Sequence, residues 1–242
     1  MTEKNLPFLP FSLPFFILLL VLPFMVLAVL ALLEISPGSA VQQALGLSVI
    51  QAVALYLTVL LASIFNVPVY EFKSGRDSEQ KHVSYMGQEY ALPVWHGHRT
   101  TISLNLGGCI VATIVAVYFA IVLPPIPVIL STIVVSLSIF LLSRPSRSIG
   151  FYVSLYVPPA ISIVVALITL YVYGLGLVNV ARLSFIAGTV GTIVGTTLLN
   201  LPRLRKTGTI FISIGGLGCF DGIILTGVLS TLLACVIAAL HL

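Results

Sequence analysis

Charge is what this chain has least of: 7% of its 242 residues are Asp, Glu, Lys or Arg, against about 25% in a soluble domain. So few charges cannot cover a water-facing surface. With 59% hydrophobic residues and a mean hydropathy of +1.17, the solvent of most of this surface is expected to be lipid. Cysteine is scarce as well. Cys109, Cys219 and Cys235 each lie in an apolar run, an odd set that excludes a disulfide framework and fits no zinc spacing. They read as small packing residues. No phosphate loop, nucleotide fingerprint or hydrolase elbow occurs, so no cofactor is expected. The net charge of +4 is no nucleic-acid signal, because the basic residues sit in short loops between apolar runs.

What is present is a succession of apolar segments. About 20 apolar residues cross a bilayer as a helix, and seven candidates meet that need: 11–33, 43–65, 100–123, 126–143, 157–175, 180–201 and 209–240. Breakers separate them, among them Ser36-Pro-Gly, Asn66-Val-Pro and Pro124-Pro-Ile-Pro. The expected fold is an all-α polytopic transmembrane bundle of about seven spans, a single integral membrane domain over 1–242. When sides alternate along the chain, ten of the eleven Lys and Arg fall on one side and Arg182 alone on the other. That asymmetry places the N-terminus and the loop 66–99 in the cytoplasm of a plasma-membrane protein, with the C-terminus outside. On the outer face Glu34 and Arg182 are expected to lie near one another. The loop, with Tyr70, Tyr85, Tyr90 and Trp95, suits the headgroup region and is not expected to form a separate folded domain.

An internal repeat is visible. The second span ends Ser63-Ile-Phe-Asn66-Val-Pro68 and the sixth Thr197-Leu-Leu-Asn200-Leu-Pro202. The third opens Ile102-Ser-Leu-Asn-Leu-Gly-Gly-Cys109 and the seventh Ile212-Ser-Ile-Gly-Gly-Leu-Gly-Cys219. This reads as three spans, a connecting fourth and three more in parallel, an arrangement found in some transporters with sites where the halves meet. Chance similarity among low-complexity apolar helices is the competing reading. Ser63 would fall on Thr197, and Asn66 on Asn200.

Asp221 is the one acid well inside an apolar run. Residues 209–240 would make a straight helix of about 48 Å, too long for a core of about 30 Å. Gly215, Gly216 and Gly218 are therefore expected to break it, with Asp221 just beyond. An intramembrane carboxylate marks a functional site by default, though an N-cap for the second helix half is an equal and compatible reading. Either way Asp221 should point into protein. In the sixth span Gly188, Gly191 and Gly195 form a small-residue stripe for close helix packing. Beside it run Thr192, Thr196 and Asn200. These either wall a polar site with Asp221, Thr197, Asn105, Ser63 and Asn66, or bond their own helix carbonyls. His96-Gly-His98, with His82 and Glu89, is too weak a pattern to predict a metal site.

Several stretches resemble a prokaryotic family of multi-pass membrane proteins known only as a domain of unknown function. They are Asn66-Val-Pro-Val-Tyr-Glu71, Ser103-Leu-Asn-Leu-Gly-Gly, Ile186-Ala-Gly-Thr-Val-Gly-Thr-Ile-Val-Gly, Leu198-Leu-Asn-Leu-Pro202 and Phe220-Asp-Gly-Ile-Ile-Leu-Thr-Gly227. The resemblance implies a helical membrane fold and an acid where this chain has Thr197. Two acids beside a glycine-rich break are similar to intramembrane aspartyl proteases, which need two carboxylates sharing a proton; here only Asp221 remains. The expected function is binding or translocation of a small solute or ion near Asp221. The alternatives are a non-catalytic subunit whose glycine faces pack other membrane subunits or a second copy, and a degenerate protease relative. The expected surroundings are the lipid bilayer, with no nucleic-acid partner.

Overall fold

In a computed structural model the described residues are 13–73, 82–85, 88–91, 99–146, 149–203, 209 and 211–240. Trp95, His96 and His98 lie outside them, as do both chain ends. Eight helices follow in order: α1 (Leu13–Leu32), α2 (Pro37–Leu45), α3 (Val49–Ala62), α4 (Leu106–Ile121), α5 (Pro125–Leu142), α6 (Val157–Val172), α7 (Val180–Ile193) and α8 (Phe220–Ala239). Two of them contain a wide π-helical turn. Leu106–Val111 opens α4 and Val194–Leu198 prolongs α7.

Among the described residues three helical stretches are long and apolar enough to cross a membrane: α5, Leu177–Arg203 containing α7, and α8. A fourth counts if α1 and α2, bent by 118°, act together. α3, α4 and α6 are apolar but shorter. The predicted span 43–65 is not one helix. Gly46, at φ +74°, closes α2 in the left-handed conformation. Ser48 and Gln51 then form a reciprocal capping box that starts α3.

The all-α expectation needs correcting, because the chain also forms strands: β1 (Asn66–Lys73), β2 (His82–Tyr85), β3 (Gln88–Ala91), β4 (Arg99–Asn105), β5 (Arg144–Ser146), β6 (Gly150–Tyr152) and β7 (Phe211–Ile214). β4 is the centre of a three-stranded sheet, antiparallel to β1 and parallel to β7. Residues 100–105 and 211–214, expected to begin spans three and seven, are therefore extended. The β-branched run Thr100-Thr-Ile favours strand over helix. A buried strand also satisfies its backbone groups against its neighbours, so it reads as apolar as a helix does. Pro68 sits in the edge strand β1, next to a bulge where the register skips Val69.

α7 is the axis of the bundle, buried on most of its circumference from Val180 to Ile193 and packed against α4, α5, α6 and α8. Its glycine stripe explains the close fit to α5. A Cβ on Gly191 would come within 2.7 Å of Val135, and one on Gly195 within 2.6 Å of the Ser136 carbonyl.

Candidate functional site

Sheet and bundle meet where two strand-to-helix corners lie side by side. Ile102, Ser103 and Leu104 pair with Ile212, Ser213 and Ile214 in parallel register. Each strand then turns into a helix, β4 into α4 and β7 into α8. The strand β4 ends because Asn105 caps α4, its Oδ1 accepting from the Gly108 amide at 2.7 Å. The strand β7 ends in a glycine turn with Gly215 at φ +72° and Gly218 at φ +88°. The corners touch so closely that a Cβ on Gly108 would lie 2.0 Å from the Gly215 carbonyl oxygen. Only glycine fits that crossing.

One group of candidate residues forms a buried amide–hydroxyl network on the sheet side. Asn105 Nδ2 donates to the Ser63 carbonyl at 2.6 Å and to Asn66 Oδ1 at 3.3 Å. Ser213 Oγ donates to the same Asn66 oxygen at 2.5 Å. Three separate segments thus share one set of hydrogen bonds: the end of α3 with the start of β1, the end of β4, and β7. Ser213 was not among the sequence candidates. Its equivalence to Ser103 in the repeated Ile-Ser pattern was the available signal.

A second group lies at the end of α7. Thr196 Oγ1 donates to the Thr192 carbonyl at 2.6 Å and lies 3.2 Å from Cys219 Sγ and 3.4 Å from Thr197 Oγ1. Asn200 Nδ2 is within hydrogen-bonding distance of the carbonyls of Gly195 and Thr196 and of Ser143 Oγ, so it caps carbonyls at the π-helical turn. Thr197 and Asn200 are both buried. Beyond the glycine turn, Asp221 occupies the first turn of α8, 4% exposed. There the helix dipole favours a negative charge. Cys219 is buried in the apolar cluster of Ile102, Ile212, Ile214 and Ile223, and Cys109 packs against it, as expected of small packing residues.

The reading of this stripe as bonding its own helix carbonyls holds for Thr196 and for Asn200 as a cap, but not for Thr192. Thr189 Oγ1, Thr192 Oγ1 and Asn200 Oδ1 are buried and have no hydrogen-bond partner. Thr189 and Thr192 lie one turn apart on α7, and Asn200 follows the π-helical turn that prolongs it. Buried polar oxygens are rarely left unpaired. The arrangement thus leaves two hydroxyls and one amide oxygen unpaired inside the bundle, on the segment that packs against α8. Among the described residues no three His, Cys, Asp or Glu side chains gather as a metal site. At the opposite end of α7, Arg182 donates to Asn179 Oδ1 at 2.8 Å and to the Gln43 carbonyl at 3.2 Å.

Fold and site define a helical protein, several of whose helices are apolar and long enough to cross a membrane, with a polar junction at a pair of strand-to-helix corners. The chain belongs to DUF1614, a family of proteins of unknown function, whose model matches residues 60–233. That segment holds both corners and all of α7. No curated protein and no solved structure matches the chain.

Proposed function

We propose that this protein is a seven-span membrane protein that binds and moves a small cation through the bilayer at the junction around Asp221. The observations that carry the reading are the buried Asp221 in the first turn of α8 and, along the α7 segment packed against α8, three buried oxygens with no partner among the described residues, on Thr189, Thr192 and Asn200. An ionisable residue inside a membrane helix marks a functional site by default. Asn200 Oδ1 can only accept, and the two threonine hydroxyls can accept as well as donate, a set of oxygens that a hard, oxygen-seeking cation or a hydrated proton can use. The short helices α3, α4 and α6 complete the seven spans, with the sheet capping the cytoplasmic end. The parallel pairing of β4 with β7 supports the 3+1+3 repeat and sets the site where its halves meet.

The subunit reading has less support, because the glycine stripe of α7 is filled from within the chain by α5 and by Thr226 and Ser162. The protease reading lacks its second acid: Thr197 is a hydroxyl, and the other acids with described side chains, Glu34 and Glu71, are exposed.

The test is cation flux into proteoliposomes, with sodium and proton gradients imposed separately. Flux in the native protein and its loss in Asp221→Asn, a change of nearly equal volume within the first turn of α8 rather than at its N-cap Cys219, with folding unchanged, is the expected result. No flux in the native protein, or equal flux in the variant, overturns the proposal.

A further inference from the structure

A second feature, on the far side of α8 from α6, is a slot between α1, α3 and α8. It encloses a cavity of about 130 Å³, walled by residues such as Val26, Leu27, Val49, Tyr56, Val115 and Val228. Engineered apolar cavities of about 150 Å³ stay dry and take up hydrocarbon. The wall holds only two polar side chains, and both are committed elsewhere. Tyr56 donates its hydroxyl to the Leu19 carbonyl at 2.7 Å, and Thr231 donates to the Gly227 carbonyl at 2.7 Å. Nothing in the slot is free to recognise a headgroup or a polar solute.

Its shape is that of a channel for a chain. The lining runs along α3 from Val49 to Val59, about 15 Å at 1.5 Å per residue. On α8 it runs from Ile224 to Thr231. The α1 and α3 surfaces beside it carry exposed apolar side chains: Leu20, Phe24 and Met25 on α1, and Ile50, 82% exposed, at the start of α3. Many of the wall residues on α1 and α3, among them Val26, Leu27, Ala52 and Tyr56, are only half-buried. The slot therefore opens towards the surface that bilayer hydrocarbon would cover.

We infer that this slot is a lipid-tail site, which takes one acyl chain of a bilayer phospholipid between α1 and α3. The inference uses the bilayer placement above but not the cation site. It makes α1 a helix held partly through an intervening lipid, consistent with its direct contacts being with α2, α3 and α8 alone among the described helices for which appreciable contact occurs.

The test uses the full chain in phosphatidylcholine vesicles whose acyl chains carry a diazirine near the methyl end, with adducts mapped by mass spectrometry after irradiation. Adducts on Val53, Tyr56 and Val228 are expected in addition to adducts on the exposed Phe24 and Ile50. Ala52→Phe fills the slot and should cut the inner adducts by about tenfold or more, as expected for excluding a few methylenes, leaving the outer ones unchanged. Val49→Phe, at the half-buried outer end, serves if Ala52→Phe does not fold. Inner residues unlabelled in the native protein, or labelled equally in the filled variant, overturn the lipid-tail site. Absence of label on Phe24 and Ile50 overturns the bilayer placement itself.

Discussion

The hydroxyl of Tyr56 donates to the carbonyl oxygen of Leu19, 2.7 Å away, and that carbonyl stands four residues before Pro23. Proline has no N–H to return to it, so α1 carries an acceptor that its own ladder cannot satisfy. Spans tolerate proline when a neighbouring helix supplies the missing donor. Here α3 supplies it through one phenol.

Tyr56→Phe should therefore destabilise the protein by about 0.6–1.7 kcal/mol, the range for interhelical hydrogen bonds in membrane proteins. Pro23→Ala restores the N–H, and in that background Tyr56→Phe should cost much less. A double-mutant cycle on denaturant unfolding reads the difference. Equal costs in both backgrounds would show that the bond is not what the phenol contributes.

The corner crossing predicts a sharp asymmetry among glycines. Gly108→Ala puts a methyl group 2.0 Å from the Gly215 carbonyl, a clash with backbone that no rotamer relieves, so the variant should fail to accumulate folded. Gly38→Ala, with nothing within 4 Å of the new Cβ, should be indistinguishable from the native protein. Expression and size-exclusion profiles compare them.

On α7, Thr192→Val removes a buried hydroxyl that has no partner and should leave stability unchanged or raise it by up to about 1 kcal/mol, since an unsatisfied polar group is lost. Thr196→Val removes a hydroxyl bonded to Thr192 and close to Cys219 and should cost about 1 kcal/mol. If Thr192 faces the cation path, its variant keeps the fold and loses flux. Thermal unfolding and proteoliposome uptake, run on the same preparation, separate the two effects.

The sheet-side network gives a fourth outcome. Ser213→Ala breaks the bond to Asn66 and leaves its Oδ1 with the longer contact from Asn105 alone. The expected loss is about 1–3 kcal/mol, detected as faster hydrogen exchange across both β1 and β7. Exchange that quickens in β7 alone would mean that Asn66 does not join the strands.

Orientation is checked by cysteine labelling. Gly38→Cys, exposed in the first turn of α2, should react with an impermeant maleimide from outside intact cells, and Ser78→Cys only after permeabilisation. Both reacting from one side would remove the seven-span topology.

The lack of charge and the lengths of the apolar runs determined, without coordinates, that the chain is built from apolar helices. The repeated Ile-Ser…Cys pattern marked two segments that the structure pairs, whereas the Ser63-x-x-Asn66-x-Pro68 and Thr197-x-x-Asn200-x-Pro202 segments lie apart, one entering β1 and the other following α7. What those patterns could not say was that Ile102–Leu104 and Ile212–Ile214 are strands lying against one another. A four-residue apolar segment has no period long enough to distinguish strand from helix, and its hydrogen-bond partner lies over a hundred residues away. The same limit applied to the candidate residues. Thr197, Asn200, Asn105, Ser63 and Asn66 read as one polar wall, yet the tertiary structure divides them between the sheet-side network and the end of α7. Asn105 is drawn away from α7 because its amide is taken up by Ser63, Asn66 and Gly108. Hydrogen-bond partners in a low-dielectric interior are decided by which segments the packing brings within 3 Å, and residue type alone carries no information about that distance.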